Sequence, residues 1–419
     1  MAEDADNDPL YSLIASASQA APPNEMVKRA LQAIRAHLGM DVAYVSEFVC
    51  NRSVMREVDA PGLEAMVKVG DSHSLDDLYC RHILEGRLPQ FIPDTSTEPV
   101  AMALPITQAI PIGRHMSVPL RMPDGSVHGM FCCLGFKADS SLRERDMQMM
   151  KVFADLTAFE ISRDLGAAKA AKEKADRIRN VLENKQISMV YQPIWKIGLG
   201  RPVGFECLAR FLPAPPRSPD KWFAEAAETG LGTVLELLAI KLALSAASAL
   251  PSDIYVSVNA SPETIMSGEL AGAMNGMPEE RIVLEITEHA YVEDYDGLLR
   301  ALQPLRDRGV RLAVDDAGAG YSSLQHILQL RPDLIKLDMD LTRNIDLDPA
   351  RRALASALVL FARETGSRII AEGVETACEL NALKCIGVEK AQGYFLGRPA
   401  QFDDAAKLVN PTPQANRVA

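Results

Sequence analysis

Apolar positions along the chain switch between two spacings, and the switches divide it into parts. From 24 to 38 they recur every three or four residues (Met26, Val27, Ala30, Leu31, Ile34, Leu38), which predicts a helix that Gly39 stops. The segment DVAYVSEFV at 41–49 alternates and is rich in β-branched and aromatic residues, so a strand is predicted. RHMSVPLRM (114–122) and SVHGMFCCLGF (126–136) predict two more strands, joined by a hairpin turn at PDG (123–125). Between 50 and 113 the pattern predicts mainly loops. Helical spacing returns over 142–165, with Met147, Met150, Val152, Phe153, Leu156 and Phe159 as its expected buried side.

That helix runs on into GAAKAAKEKADRIRNVLEN (166–184), which is rich in good helix formers and free of proline. Ala171, Ala175, Ile178 and Leu182 form a thin apolar stripe. The stripe fits a parallel coiled-coil connector or a plain helical spacer, and its length leaves both open.

Beyond 186 the rhythm changes again. Short apolar runs stand at 187–195, 202–211, 253–261, 281–287, 310–317, 334–339, 368–374 and 388–397. Stretches of helical period, such as 221–249, 294–308 and 350–366, separate most of them. Eight strands alternating with helices over roughly 220 residues predict an α/β fold, a TIM-like (β/α)8 barrel. The expected division is an α+β domain at 9–165, a helical linker at 166–184 and the barrel at 185–410.

Composition narrows the class. The chain has 419 residues, 47% of them hydrophobic and 24% charged, which excludes a mostly disordered protein. No apolar run reaches the ~20 residues that cross a bilayer, so no membrane association is expected. The acidic start MAEDADNDPLYS lacks a basic region followed by an apolar core. Seven cysteines include no CxxC pair, so free thiols in a cytoplasmic setting are expected. A net charge of −12 argues against binding a DNA or RNA polymer. Residues 1–165 hold 15 basic and 23 acidic residues, whereas 166–419 hold 29 and 33. The nearly balanced part nonetheless carries the densest set of carboxylates.

Most barrel strands are apolar first and end in a polar group: Glu206, Asn259, Glu285 with Glu288, Asp315 with Asp316, Lys336, and Glu372 with Glu375, while Gln392 lies in the last strand. Parallel barrel strands bring such ends to one mouth. Carboxylates gathered there repel one another, and divalent cations offset them. With no histidine or cysteine cluster alongside, hard oxygen ligands suit Mg²⁺ or Mn²⁺ rather than zinc. Adjacent strand residues point to opposite sides, so Asp315 and Asp316 both serve one mouth only if the strand ends there. The run Ala317-Gly318-Ala319-Gly320 is expected to end it. Alone, an Asp-Asp pair would be read as helix or turn caps; alongside the other strand ends it suits two ions about 3.5–4 Å apart. Lys336, within LIKLD, is expected to be a buried cation facing the carboxylates.

YQPI (191–194), GFECLAR (204–210), VNAS (258–261), LEITE (284–288), DDAGAGYSSL (315–324), IKLD (335–338), AEGVE (371–375) and QGYFLGRP (392–399) together resemble the EAL-domain cyclic di-GMP phosphodiesterases, over about 180–405. The resemblance implies Glu206, Asn259, Glu285 and Asp315 as metal ligands and Asp316 as a ligand of a second ion. It implies Lys336 and Glu372 as the groups that orient and activate the attacking water. Arg210 would contact substrate, Gln392 would lie near the site, and Glu288 would anchor the loop after Asp316 and couple dimerisation to metal binding. The implied reaction is hydrolysis of cyclic di-GMP to pGpG by a homodimer.

Three positions depart from the family pattern. The signature EAL is Glu206-Cys207-Leu208, and DDFGTGYSSL becomes DDAGAGYSSL, with Ala317 and Ala319. Cys207 is either a thiol beside the site or a small apolar core residue. Residues 24–165 resemble a GAF domain, a module that senses small ligands or dimerises. Cys80, His82, His73, His115, Cys132 and Cys133 raise the question of a cofactor there, and no ligand is named. A non-catalytic cyclic di-GMP receptor acting through dimerisation is the alternative, and the intact Glu206, Asp315, Asp316 and Lys336 count against it. A pure interaction module would leave the strand-end carboxylates unexplained.

Overall fold

The computed structural model describes residues 23–213, 215–287, 292–317 and 321–409. They form two units, divided between Ala170 and Ala171.

The first unit is built on an antiparallel sheet of β1 (Val42–Val49), β2 (Arg52–Asp59), β3 (Ser72–Ser74), β4 (Phe91–Ile92), β5 (Arg114–Arg121) and β6 (Val127–Gly135), in the order β3-β2-β1-β6-β5-β4. Strand alternation sends Ala43, Val45, Phe131 and Cys133 to one face and Val42, Tyr44, Met130 and Cys132 to the other. The first face packs on helix Pro23–His37 and on the start of helix Glu144–Glu183; the second is covered by Leu75, Tyr79, Leu88 and Leu104. Strands β2 and β3 lie in the stretch expected to be loops. Their alternation is weak because β2 is half-exposed and β3 stands at the sheet edge.

Helix Glu144–Glu183 is continuous through the segment predicted as a linker. Its buried side is narrower than expected. Met147, Met150 and Phe153 are buried, but Val152, Leu156 and Phe159 are exposed, Phe159 by 63%. The helix lays a single stripe on the sheet, and the residues a quarter-turn away miss it.

In the second unit, β7 (Ile187–Lys196), β8 (Arg201–Phe211), β9 (Tyr255–Asn259), β10 (Ile282–Ile286), β11 (Arg311–Ala317), β12 (Leu334–Leu337), β13 (Arg368–Ala371) and β14 (Lys390–Ala391) close into an eight-stranded barrel. Alternation divides each strand. Val256, Val258, Leu284, Ile286, Leu312, Val314, Ile335 and Leu337 face the surrounding helices. Ile194, Tyr255, Val283, Ala313, Leu334 and Ile370 fill the barrel itself. One departure from an all-parallel barrel is visible: β7 runs antiparallel to both β8 and β14. Alternation carries no direction, so its pattern could not reveal this.

Among the described residues no helix is long and apolar enough to cross a membrane. All seven cysteines are free.

Candidate functional site

The inward stripe of several barrel strands ends in a charged group. On β11 it reads Arg311, Ala313, Asp315, and the chain of β13 continues it from Ile370 to Glu372. Glu285 is the register partner of Asn259 on one side and of Ala313 on the other. These strand ends surround Lys336, which is fully buried. Its Nζ lies 2.7 Å from Glu372 Oε1, 2.9 Å from Glu285 Oε2, 3.1 Å from Asp315 Oδ1 and 3.4 Å from Glu206 Oε1.

One ammonium cannot neutralise this set. Two like charges 4 Å apart repel by about 4 kcal/mol at the effective dielectric near a protein surface, and here the carboxylates are buried. Protons take up part of the load. Burial pushes the Glu285 carboxyl up to about 8, although Lys336 pulls the other way. Burial likewise lifts Glu372 well above the usual carboxylate range. For Lys336, burial works against its charge, but Asp315, Glu206, Glu285 and Glu372 outweigh it and keep the ammonium protonated.

Asp315 and Asp316 reach the same mouth by a route other than strand termination. Strand β11 continues through Ala317, with a register irregularity against β12 between Val314 and Ala317. Within it Asp316 adopts φ +54°, and its N–H donates to Asp315 Oδ1 at 3.0 Å. Aspartate tolerates this left-handed conformation better than most residues. The kink turns what would be opposite-facing neighbours toward one side.

Two carboxylate triplets result. Glu206, Glu285 and Asp315 each offer an oxygen within 4.8 Å of the others, and so do Asp315, Asp316 and Glu372. Asp315 belongs to both. Glu285 Oε1 is buried and has no hydrogen-bond partner among the described residues. An orphaned carboxylate oxygen in an all-oxygen donor set fits a hard divalent cation.

Other expected residues fall around this centre. Gln392 is buried and its Nε2 donates to Glu206 Oε2 and, at 3.0 Å, to Gln192 Oε1. Asn259 is exposed at the end of β9. Arg210 lies on β8 beyond Glu206, half-buried, with Nη1 donating to its neighbour's Ala209 carbonyl at 2.7 Å. Glu375 is exposed and pairs with Arg343 at 2.6 Å, away from Lys336. Glu288 and Ala319 lie outside the described residues. Ala317 is fully buried.

Gln192 was not among the expected site residues. It faces Glu206 across the β7–β8 pair, and its Nε2 donates to the Gly397 carbonyl at 3.2 Å. Its signal was an amide between buried Tyr191 and Ile194, legible only once β7 is placed beside β8.

Cys207 alternates with Glu206 and so turns from the mouth into the helix-side core, beside Tyr191, Ala243 and Leu244. Burial pushes its thiol well up, which makes it a small packing residue rather than a reactive one. In the first unit, Cys80, His115, Cys132 and Cys133 are all buried. The Tyr79 ring stacks on His115 with centroids 4.3 Å apart, and Ser117 Oγ lies 3.3 Å from Cys132 Sγ.

Comparison with known proteins follows the same division. The EAL domain model matches residues 175–399, and a GAF domain model matches 20–162. The probable cyclic di-GMP phosphodiesterase PdeG of Escherichia coli is 28% identical over 253 residues, 58% of this chain and 50% of that protein. The bifunctional diguanylate cyclase/cyclic di-GMP phosphodiesterase MucR of Pseudomonas aeruginosa is 30% identical over 239 residues, 53% of this chain and 34% of that protein. The solved structure of the PaMucR phosphodiesterase in complex with c-di-GMP is 27% identical, with a TM-score of 0.51 over 56% of this chain and 99% of that one. The chain spans only about a third of the length of several other curated relatives it matches.

Proposed function

The chain belongs to the EAL domain family, and from that premise we propose that it hydrolyses one phosphodiester of cyclic di-GMP to linear pGpG, dependent on two divalent cations, Mg²⁺ or Mn²⁺. The observation that carries this reading is the sharing of Asp315 between two carboxylate triplets around one lysine. Family relatives named as cyclic di-GMP phosphodiesterases support the substrate.

Glu206, Glu285, Asp315 and Asn259 would hold one cation, and Asp315 with Asp316 the other. When bound, the cations supply Lewis acidity and charge neutralisation at the scissile phosphate. The rest is assigned to the chain itself. Glu372 Oε1, held by Lys336 Nζ at 2.7 Å, takes the proton of the attacking water. Lys336 stays protonated and fixes the carboxylates around it. Gln392 and Gln192 orient Glu206. Arg210 turns its guanidinium from a backbone carbonyl to a substrate phosphate.

In this reading the N-terminal GAF domain is the regulatory input, and its ligand stays unnamed. The exposed apolar stripe of Val152, Leu156 and Phe159 suits pairing with a second copy of the chain.

The test is product analysis. The full chain, incubated with cyclic di-GMP and Mg²⁺ or Mn²⁺, should release pGpG. Release of none with either cation, alongside calorimetric binding of cyclic di-GMP, would replace the enzyme by a receptor.

A further inference from the structure

Cations gather at the barrel end opposite the carboxylates. Arg311 opens β11, Arg368 opens β13, Lys390 opens β14, and Lys196 closes the antiparallel β7 at the same end. They line a cavity of about 280 Å³ whose wall includes Tyr255 and Arg281.

These cations are poorly matched within the chain. Among the described residues, no ion pair joins Lys196, Arg311, Arg368 or Lys390 to a carboxylate within 4.0 Å. Two carboxylates line the cavity: Asp253 is engaged by Arg201 at 2.8 Å, and Glu280 is exposed. Arg281 is spent on the Ile254 and Leu250 carbonyls, at 2.9 and 3.1 Å.

Lys390 is the anomaly. It is 6% exposed, and among the described residues its Nζ contacts the Tyr255 hydroxyl at 3.4 Å and the Tyr255 ring, with the centroid at 4.7 Å, while the neighbouring Glu389 carboxylate acts on it without forming an ion pair. Arg311 lies over the same ring, 4.6 Å from its centroid. The ring in turn lies over Gly204, where a Cβ would come within 2.6 Å of it. Burial, with Arg311 and Arg368 nearby, pushes the Lys390 ammonium down to about 8. A buried cation beside other cations is costly unless an anion completes the site.

We propose that this cavity, at the barrel end opposite the carboxylates, binds a small multivalent oxyanion of the phosphate class, gripped by Lys390, Arg311, Arg368 and Lys196. Planar guanidinium donors match phosphate oxygens in pairs, and the lysines add point charges. The cavity has room for a diphosphate or a sugar phosphate.

The test uses the full chain, treated with chelator, at constant ionic strength, with inorganic pyrophosphate as the probe and citrate as the comparison. Saturable pyrophosphate binding is expected by calorimetry, with a matching rise in melting temperature and weaker binding of citrate. Arg368→Ala and Lys390→Met should each weaken it at least tenfold, while Arg210→Ala, at the carboxylate end, should not. Arg368 is exposed, so its variant keeps the fold and carries the test even if Lys390→Met does not fold. Absence of saturable binding, citrate binding as tightly as pyrophosphate, or equal binding by Arg368→Ala would overturn the proposal.

Discussion

Lys336 Nζ lies 2.7 Å from Glu372 Oε1, the shortest of four carboxylate contacts made by one buried ammonium. Removing that cation leaves its partners buried and unpaired. Lys336→Met is expected to lower the metal-free stability by about 3 kcal/mol, the low end for breaking a buried pair, because protonation of Glu285 and Glu372 relieves part of the strain. Added Mg²⁺ should recover most of it, while turnover stays at background. Urea unfolding with and without Mg²⁺ measures the stability and a product assay the turnover; an unchanged midpoint in chelator would contradict the pairing of Lys336 with these carboxylates.

Cation binding should depend on pH. The folded Glu285 titrates near 8, above its ordinary carboxylate value of 4.5. A raised carboxylate contributes stability that is fully present below the unfolded value and is lost as pH rises through the folded one. The metal-free protein should therefore weaken between pH 4.5 and 8. Cations must displace that proton, so their apparent affinity should rise by up to about tenfold per pH unit between 6 and 8. Calorimetry in buffers of different ionisation enthalpy would report the released proton; a flat affinity across this range would count against it.

Asp316 separates conformation from charge. Asp316→Asn keeps a residue suited to φ +54° and removes the carboxylate. Its melting temperature should stay near that of the wild type, while bound Mn²⁺ falls from two ions per chain to one. Asp316→Val should also cost about 1–3 kcal/mol in stability, because a β-branched residue is strained there. Metal analysis after gel filtration reads the stoichiometry, and two ions retained in Asp316→Asn would remove Asp316 from the ligand set.

Cys207 is expected to be replaceable. Cys207→Ala should keep turnover within about twofold and cost on the order of 1 kcal/mol from a small cavity. Thiol-blocking reagents should leave turnover unchanged. Rapid inactivation that Cys207→Ala abolishes would place the thiol at the mouth after all.

Much of the barrel was legible because period-2 alternation and strand-end polarity are local properties, as in Ala313 and Asp315 of β11. What escaped depends on neighbours or on backbone geometry. The reversed direction of β7 leaves no trace in alternation, and with it went the pairing of Gln192 opposite Glu206. The sequence suggested that β11 stops at the Asp pair; instead one positive φ at Asp316 redirects the chain within the strand. Val152, Leu156 and Phe159 had the right spacing for burial, but how wide a stripe the sheet covers is a tertiary fact. The cluster of Lys390 with Arg311 and Arg368 depends on which strand ends share one side of the barrel, which the sequence pattern does not carry.

The proposed hydrolysis of cyclic di-GMP at the carboxylate centre requires cations to occupy it. The most direct measurement is pGpG release by the chelator-stripped 419-residue chain titrated with Mn²⁺, beside Asp315→Asn. No product is expected in chelator, product should rise as Mn²⁺ passes one equivalent per chain, and none should come from Asp315→Asn, the residue common to both triplets. Equal rates of product release with and without cations, or wild-type rates from Asp315→Asn, would contradict it.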